Sequence, residues 1–260
     1  MSLNFPREPE VQLKNPPLIE VVCQVRFPPI LRIAKEEPSE FQEYVRSQFP
    51  QLELEQGLLI RIPGVGSSGA PAAETQARVY RFQKPDGQIA ISLAVDFYAL
   101  VTNQYTRWED FARDLSLAHE AAQRVYSPAY STRIGLRYVN RLAPSNTGCK
   151  TVSEMLDLLR PELTAQLRST AWSDPASMLC QLVLTDSEAK LTLRTGYGQE
   201  QDEPFFLLDF DYYEEGRLGL ENLVERCNHY HEAIYDAFRW CLRDESLAVF
   251  EPIAEETAHP

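Results

Sequence analysis

Two long segments carry apolar residues every three or four positions. The first runs from Trp108 to Tyr126 and aligns Trp108, Phe111, Leu115, Ala118, Ala122 and Val125. The second runs from Leu220 to Leu242 and aligns Leu223, Val224, Cys227, His231, Ile234, Phe238 and Cys241. This spacing predicts amphipathic helices, each with one face for a core. Pro128 stops the first, because the residue before a proline is pushed out of helical geometry. PSEFQEYVRSQF predicts a shorter helix capped by Ser39, with Phe41, Tyr44, Val45 and Phe49 together. TVSEMLDLLRPELTAQLRS predicts another, opened by a capping box at Thr151 or Ser153 and kinked or divided at Pro161.

Between the helices the pattern favours extended chain, rich in β-branched residues and alternating between apolar and polar. LIEVVCQVRF and LELEQGLLIRIP are expected strands. GVGSSGAPAAETQ, small and rich in Gly and Pro, is an expected loop. ARVYRFQKPDGQIAISLAVDFYALVTN reads as two strands around Pro85-Asp86-Gly87, the second long enough to bend or bulge. YSTRIGLRYVNRL and PFFLLDFDYYEE are single strands, and SMLCQLVLTDSEAKLTLRTGYG is a hairpin around Asp186-Ser187-Glu188.

The order strand, helix, three strands, helix thus occurs twice, over 1–128 and 129–260. Landmarks repeat with it at offsets of 111 to 114 residues: Arg26-Phe27 with Arg137-Tyr138, Ser39-Glu40-Phe41 with Ser153-Glu154-Met155, Asp96-Phe97 with Asp209-Phe210, and His119-Glu120 with His231-Glu232. The expected fold class is α+β, one compact unit of two pseudo-repeats, with helices packed on one face of an antiparallel sheet.

Alternation also sorts the strand faces. Ile134, Leu136 and Tyr138 oppose Arg133, Arg137 and Arg141, while Phe206, Leu208 and Phe210 oppose Asp209 and Asp211. Val21, Cys23, Val25 and Phe27 oppose Glu20, Gln24 and Arg26; Ile91, Leu93, Val95 and Phe97 oppose Ser92, Asp96 and Tyr98. A buried ion without a partner costs several kcal/mol, so the arginines either meet the acids across strands or face water, a ligand or a partner. The candidate ligand residues are therefore Arg26, Arg133, Arg137 and Arg141 as clamps, with Asp96, Asp209 and Asp211 as metal-binding or proton-handling groups. A solvated sheet face laced with cross-strand ion pairs is the competing reading.

Charge narrows the function classes. The chain of 260 residues has 25 Lys and Arg against 38 Asp and Glu, a net charge of −13, which disfavours non-specific nucleic-acid binding. No apolar run approaches the roughly 20 residues that span a bilayer. The start, MSLNFPREPEVQLKNPP, does not read as a signal peptide. The five cysteines are odd in number and none form CxxC, which suits a reduced, cytoplasmic protein.

Catalytic motifs are incomplete. GVGSSG spells GxGxxG, but a strand follows it instead of a helix N-terminus. The HE pairs at His119 and His231 lack the second histidine of HExxH, with Gln123 and Tyr235 in its place, so each histidine is expected at the edge of the core. Cys227 and His231 share a helix face that packs on the sheet, where cysteine behaves as a small hydrophobe. ELEQG (Glu53 to Gly57) echoes the acidic strand of triphosphate-tunnel enzymes but has Gly57 where they place a lysine. No catalytic residue, metal or cofactor is assigned.

Three phrases stand in order along the chain: NPPLIEVVCQVRF, RIGLRYVNRL and HEAIYDAFRW. On these the chain resembles a sporadically distributed, uncharacterised family of bacterial and archaeal proteins of about this length. The resemblance brings no activity or site residues. Its patchy distribution resembles that of genes carried in defence or mobile cassettes. The expected function is a non-enzymatic interaction or adaptor module with a protein partner or a second copy of itself. The alternative is a binder or metal-assisted hydrolase of a small anionic ligand such as a nucleotide, working from the Arg/Asp face.

Overall fold

The computed structural model describes residues 3–56, 78–173 and 175–253. In chain order the elements are β1 (Leu18–Arg26), α1 (Leu31–Lys35), α2 (Ser39–Val45), β2 (Gln51–Gln56), β3 (Arg78–Gln83), β4 (Ile89–Ala94), β5 (Phe97–Thr102), α3 (Trp108–Tyr126), β6 (Ser131–Leu142), α4 (Pro144–Thr147), α5 (Val152–Asp157), α6 (Pro161–Thr164), β7 (Met178–Asp186), β8 (Ala189–Glu200), β9 (Glu203–Leu218) and α7 (Leu223–Cys241). Among the described residues nine strands form one open antiparallel sheet, in the order β2-β3-β4-β5-β1-β6-β9-β8-β7.

Helices α3 and α7 pack on one face. Leu115, Ala118 and Ala122 of α3 and Cys227, Ile234 and Phe238 of α7 share a single apolar cluster with Val21, Cys23 and Val25 of β1, Ile134 and Leu136 of β6, and Phe206, Leu208 and Phe210 of β9. Strand alternation thus delivers the helix face as the sequence predicts. Arg133, Arg137, Arg141, Asp209 and Asp211 alternate with these residues and so project from the outer face. Among the described residues no helix is long and apolar enough to cross a membrane.

Two departures from the sequence reading have physical causes. The long segment after Gly87 is two strands, β4 and β5, joined by a tight turn at Val95-Asp96. Neither turn residue has a positive φ, so the hairpin carries none of the Gly or Asn that usually announces one. It is braced from outside: Phe27 N donates to the Asp96 carbonyl at 2.9 Å and Ile30 N to that of Val95 at 2.8 Å. Four strands, not three, therefore follow α2. The turn also moves Phe97 to the outer face, where it packs with Val22, Val79, Ala94 and Ala99, and brings Tyr98 onto the helix face. Of the two outcomes the sequence allows at Pro161, the structure has division: Pro161 starts α6 as a separate helix after α5 has ended. The GVGSSG loop and Gly57 of ELEQG lie outside the described residues.

Candidate functional site

The outer face brings most of the predicted site residues into one ion-pair lattice. Arg137, on β6, grips Asp209 of β9 with two hydrogen bonds, Nε to Oδ1 at 2.7 Å and Nη2 to Oδ2 at 3.0 Å. Both are buried, Arg137 at 7 % exposure and Asp209 at 1 %. Burial opposes the charge on Arg137, but the hydrogen bonds and charge of Asp209 outweigh it and hold its pKa above the ordinary value. Arg133 donates to Asp211 at 2.7 Å and lies over the Tyr213 ring. Its guanidinium occupies the space where residue 135 would carry a Cβ, so glycine at 135 lets the side chain lie flat on the sheet. Arg141 donates to Glu203 at 3.2 Å and covers Phe205. Arg26 and Asp96 form a separate, more exposed pair at 3.5 Å.

Sequence reasoning missed Arg194 of β8, which reaches Asp209 at 3.2 Å, and Glu203, the partner of Arg141. Each of the four predicted clamps already has a carboxylate, so an incoming anion must displace or share it. Two donors are left over: Arg137 Nη1 and Arg141 Nε are buried without a hydrogen-bond partner, although Glu20 lies 3.8 Å from the former. Among the described residues no three His, Cys, Asp or Glu side chains converge on a metal-sized site.

A different constellation lies on the helix side. Residues ahead of β1 form an arm that crosses α7 and pairs with the segment after it: Leu13 bridges Pro252, and Lys14 N and Asn15 N donate to the carbonyls of Glu251 and Phe250. Arm, β6 and α7 enclose a cavity of about 440 Å³, within the range of small-molecule sites. His231, 6 % exposed, stands in its wall. Its Nε2 lies 3.0 Å from Glu10 Oε2, its Nδ1 lies 3.0 Å from the Tyr138 hydroxyl, and its ring stacks on Trp108 at 4.8 Å. The Tyr138 and Tyr105 hydroxyls are 3.3 Å apart. Burial raises the pKa of both phenols, so each stays protonated at neutral pH. As expected from the sequence, His231 is a hydrogen-bonded histidine and not half of a nucleophilic pair. The Cys227 sulfur instead meets that of Cys23 at 3.6 Å, and that contact, with burial, raises its pKa.

The third feature is the sheet edge at β7. Leu182 is paired with Leu193 and shares the helix face, whereas Leu179 and Val183 share the outer face. All three are about half exposed, at 51, 51 and 48 %. An edge strand is usually blunted by charge, proline or brevity. β7 is nine residues long, has no proline, and carries one charged residue, Asp186, at its end. The opposite edge, β2, has six residues and includes Glu53 and Glu55. Comparison with protein-family models and with curated proteins gives no match.

Proposed function

We propose that this protein is a non-enzymatic interaction module that pairs with a second copy of itself through β7. The observation that carries this reading is the composition of that strand. MLCQLVL is long for an edge strand, apolar and free of charge and proline, and among the described residues only one of its two edges is paired, so the other is open to a further strand. A second copy is the favoured occupant because the sheet is antiparallel throughout, and a two-fold axis through β7 continues that pattern with identical strands. The pairing region has no charge that would repel its copy, despite the net charge of −13. Covering the exposed halves of Leu179, Leu182 and Val183 on two copies gains roughly 1 kcal/mol each. With ladder hydrogen bonds added and the entropy of association subtracted, the balance corresponds to a dissociation constant on the order of micromolar.

The test is sedimentation velocity across a concentration series, with wild type and Val183→Lys. The wild type is expected to shift from monomer to dimer with rising concentration, and the variant to stay monomeric with unchanged circular dichroism. A wild type that stays monomeric at about a hundred times the expected constant refutes the pairing. So does a Val183→Lys protein that dimerises as well as wild type.

The internal duplication belongs to the same proposal. With 1–128 and 129–260 as the halves, β1 and β6 stand together at the centre, β5 and β9 flank them, β4 and β8 come next, and α3 and α7 each have 19 residues. β2 has no counterpart. The resemblance to the sporadically distributed family rests, as before, on the three phrases. A second reading, anion binding on the outer face, is favoured by the two buried donors of Arg137 and Arg141. A phosphate- or nucleotide-dependent rise in melting temperature, lost in Arg141→Gln, supports it; no rise removes it.

A further inference from the structure

We infer that the cavity beneath the N-terminal arm is a binding site for a small organic cation, with a primary ammonium head and an apolar body. Its walls are apolar over most of their extent, through Val11, Leu13, Leu18, Ile234 and Phe238. Polar residues also line it, among them Glu10, Asn140, His231, Tyr105 and Tyr138. Asn140 is 5 % exposed and stands on the helix face of β6, among Ile134, Leu136 and Leu142. Its amide nitrogen donates to the Leu208 carbonyl at a long 3.5 Å, and its side-chain oxygen is a further acceptor.

Glu10 adds the charge. A carboxylate only accepts, so His231 Nε2 is the donor at 3.0 Å, and Oε1 of Glu10 remains available to a ligand. The other charged residue in the wall, Lys14, is turned to Glu251 at 2.9 Å. No arginine is among the described lining residues, so a carboxylate or phosphate finds no two-point clamp there. The aromatic rings of Tyr105 and Tyr138 also line the cavity. The arm that carries Glu10 is tied to residues 250–253 by backbone hydrogen bonds, so the acid is held in place before a ligand arrives.

The experiment is isothermal titration of the full chain with n-hexylamine, 1-hexanol and hexanoate. Saturable one-to-one binding of the amine is expected, with hexanoate weaker by about tenfold or more. Glu10→Gln removes the preference of amine over alcohol. Val11→Trp, which fills the cavity from the arm and leaves the sheet core untouched, abolishes binding. Circular dichroism shows that both variants are folded. The proposal is overturned if hexanoate binds as well as the amine. It is equally overturned if no saturable amine binding occurs, or if that binding survives unchanged in Val11→Trp, as it would on a merely acidic surface.

Discussion

Replacing Asp209 by asparagine removes one charge and almost no volume, at a buried point of the outer face. The side chain accepts two hydrogen bonds from Arg137 and one from Arg194. After the change, the closest remaining acid to Arg137 is Glu20 at 3.8 Å, itself more than a third exposed. Arg194 is less affected, since it is more exposed and keeps Gln181 at 3.0 Å and Asp211 at 3.9 Å. The loss is therefore mainly that of one buried guanidinium left without its counterion, about 3–5 kcal/mol. For a chain of this size that lowers the melting temperature by roughly 6–20 °C. Urea denaturation followed by circular dichroism measures it, with Asp209→Leu/Arg137→Met as the companion variant. Removing both charges also removes the cost of holding them out of water, so the double variant is expected within about 2 kcal/mol of wild type. An Asp209→Asn protein that loses less than about 1 kcal/mol refutes the reasoning, because Arg137 must then be finding water and the face is an open, solvated groove.

Two further outcomes follow from buried groups. Burial lowers the pKa of His119 below its ordinary 6.5, so between those two values the unfolded chain binds more protons than the folded one. Stability contributed by His119 is therefore complete above pH 6.5 and declines as the pH falls through and below it. His119→Gln is expected to flatten the stability profile from pH 7 to 5 relative to wild type, while losing about 1 kcal/mol at pH 8 with its Tyr98 contact; parallel profiles count against it. Thiol titration of the native chain is expected to modify Cys180 quickly and Cys149 more slowly, with Cys23, Cys227 and Cys241 reacting only after unfolding. Rapid modification of Cys227 contradicts its burial.

What the sequence made legible depended on whether the signal was local. Helix α3 has the bounds that its apolar stripe predicts, because the 3.6-residue period, Pro128 and the left-handed Ser127 all act within a few residues of one another. The polar outer face was legible for the same reason: alternation needs nothing from elsewhere in the chain. The β4–β5 turn was not, because its bracing comes from Phe27 and Ile30, far back in the sequence. The cavity was not either, since it joins residues from the arm, the loop after β5, β6 and α7. One clue was present. Asn140 is a polar residue in register with Ile134, Leu136, Tyr138 and Leu142, and such an exception on an apolar face calls for a hydrogen-bonding partner or a ligand. The exposed edge had a clue too, in that MLCQLVL has none of the charge or proline that usually blunts an edge strand.

The two HE phrases show how similar sequence can serve different ends. His119 and His231 both lie on a long helix packed against the sheet, and both bring Nδ1 to a tyrosine hydroxyl from a strand, Tyr98 at 2.7 Å and Tyr138 at 3.0 Å. They part at the second nitrogen's surroundings. His119 has a backbone hydrogen bond with Leu220, in the segment leading into α7, and so ties one helix to the approach of the other. His231 meets instead the carboxylate of Glu10, on an arm that Tyr235, Arg239 and the backbone pairing to residues 250–253 also hold in place. A backbone partner fixes a ring and ends the matter, whereas a carboxylate fixes the ring and keeps an oxygen free. The helix–tyrosine contact is thus a packing device in both places, and the binding chemistry at His231 is contributed by the arm. It follows that Glu10→Gln should alter ligand binding with little change in stability, while His119→Gln should do the reverse.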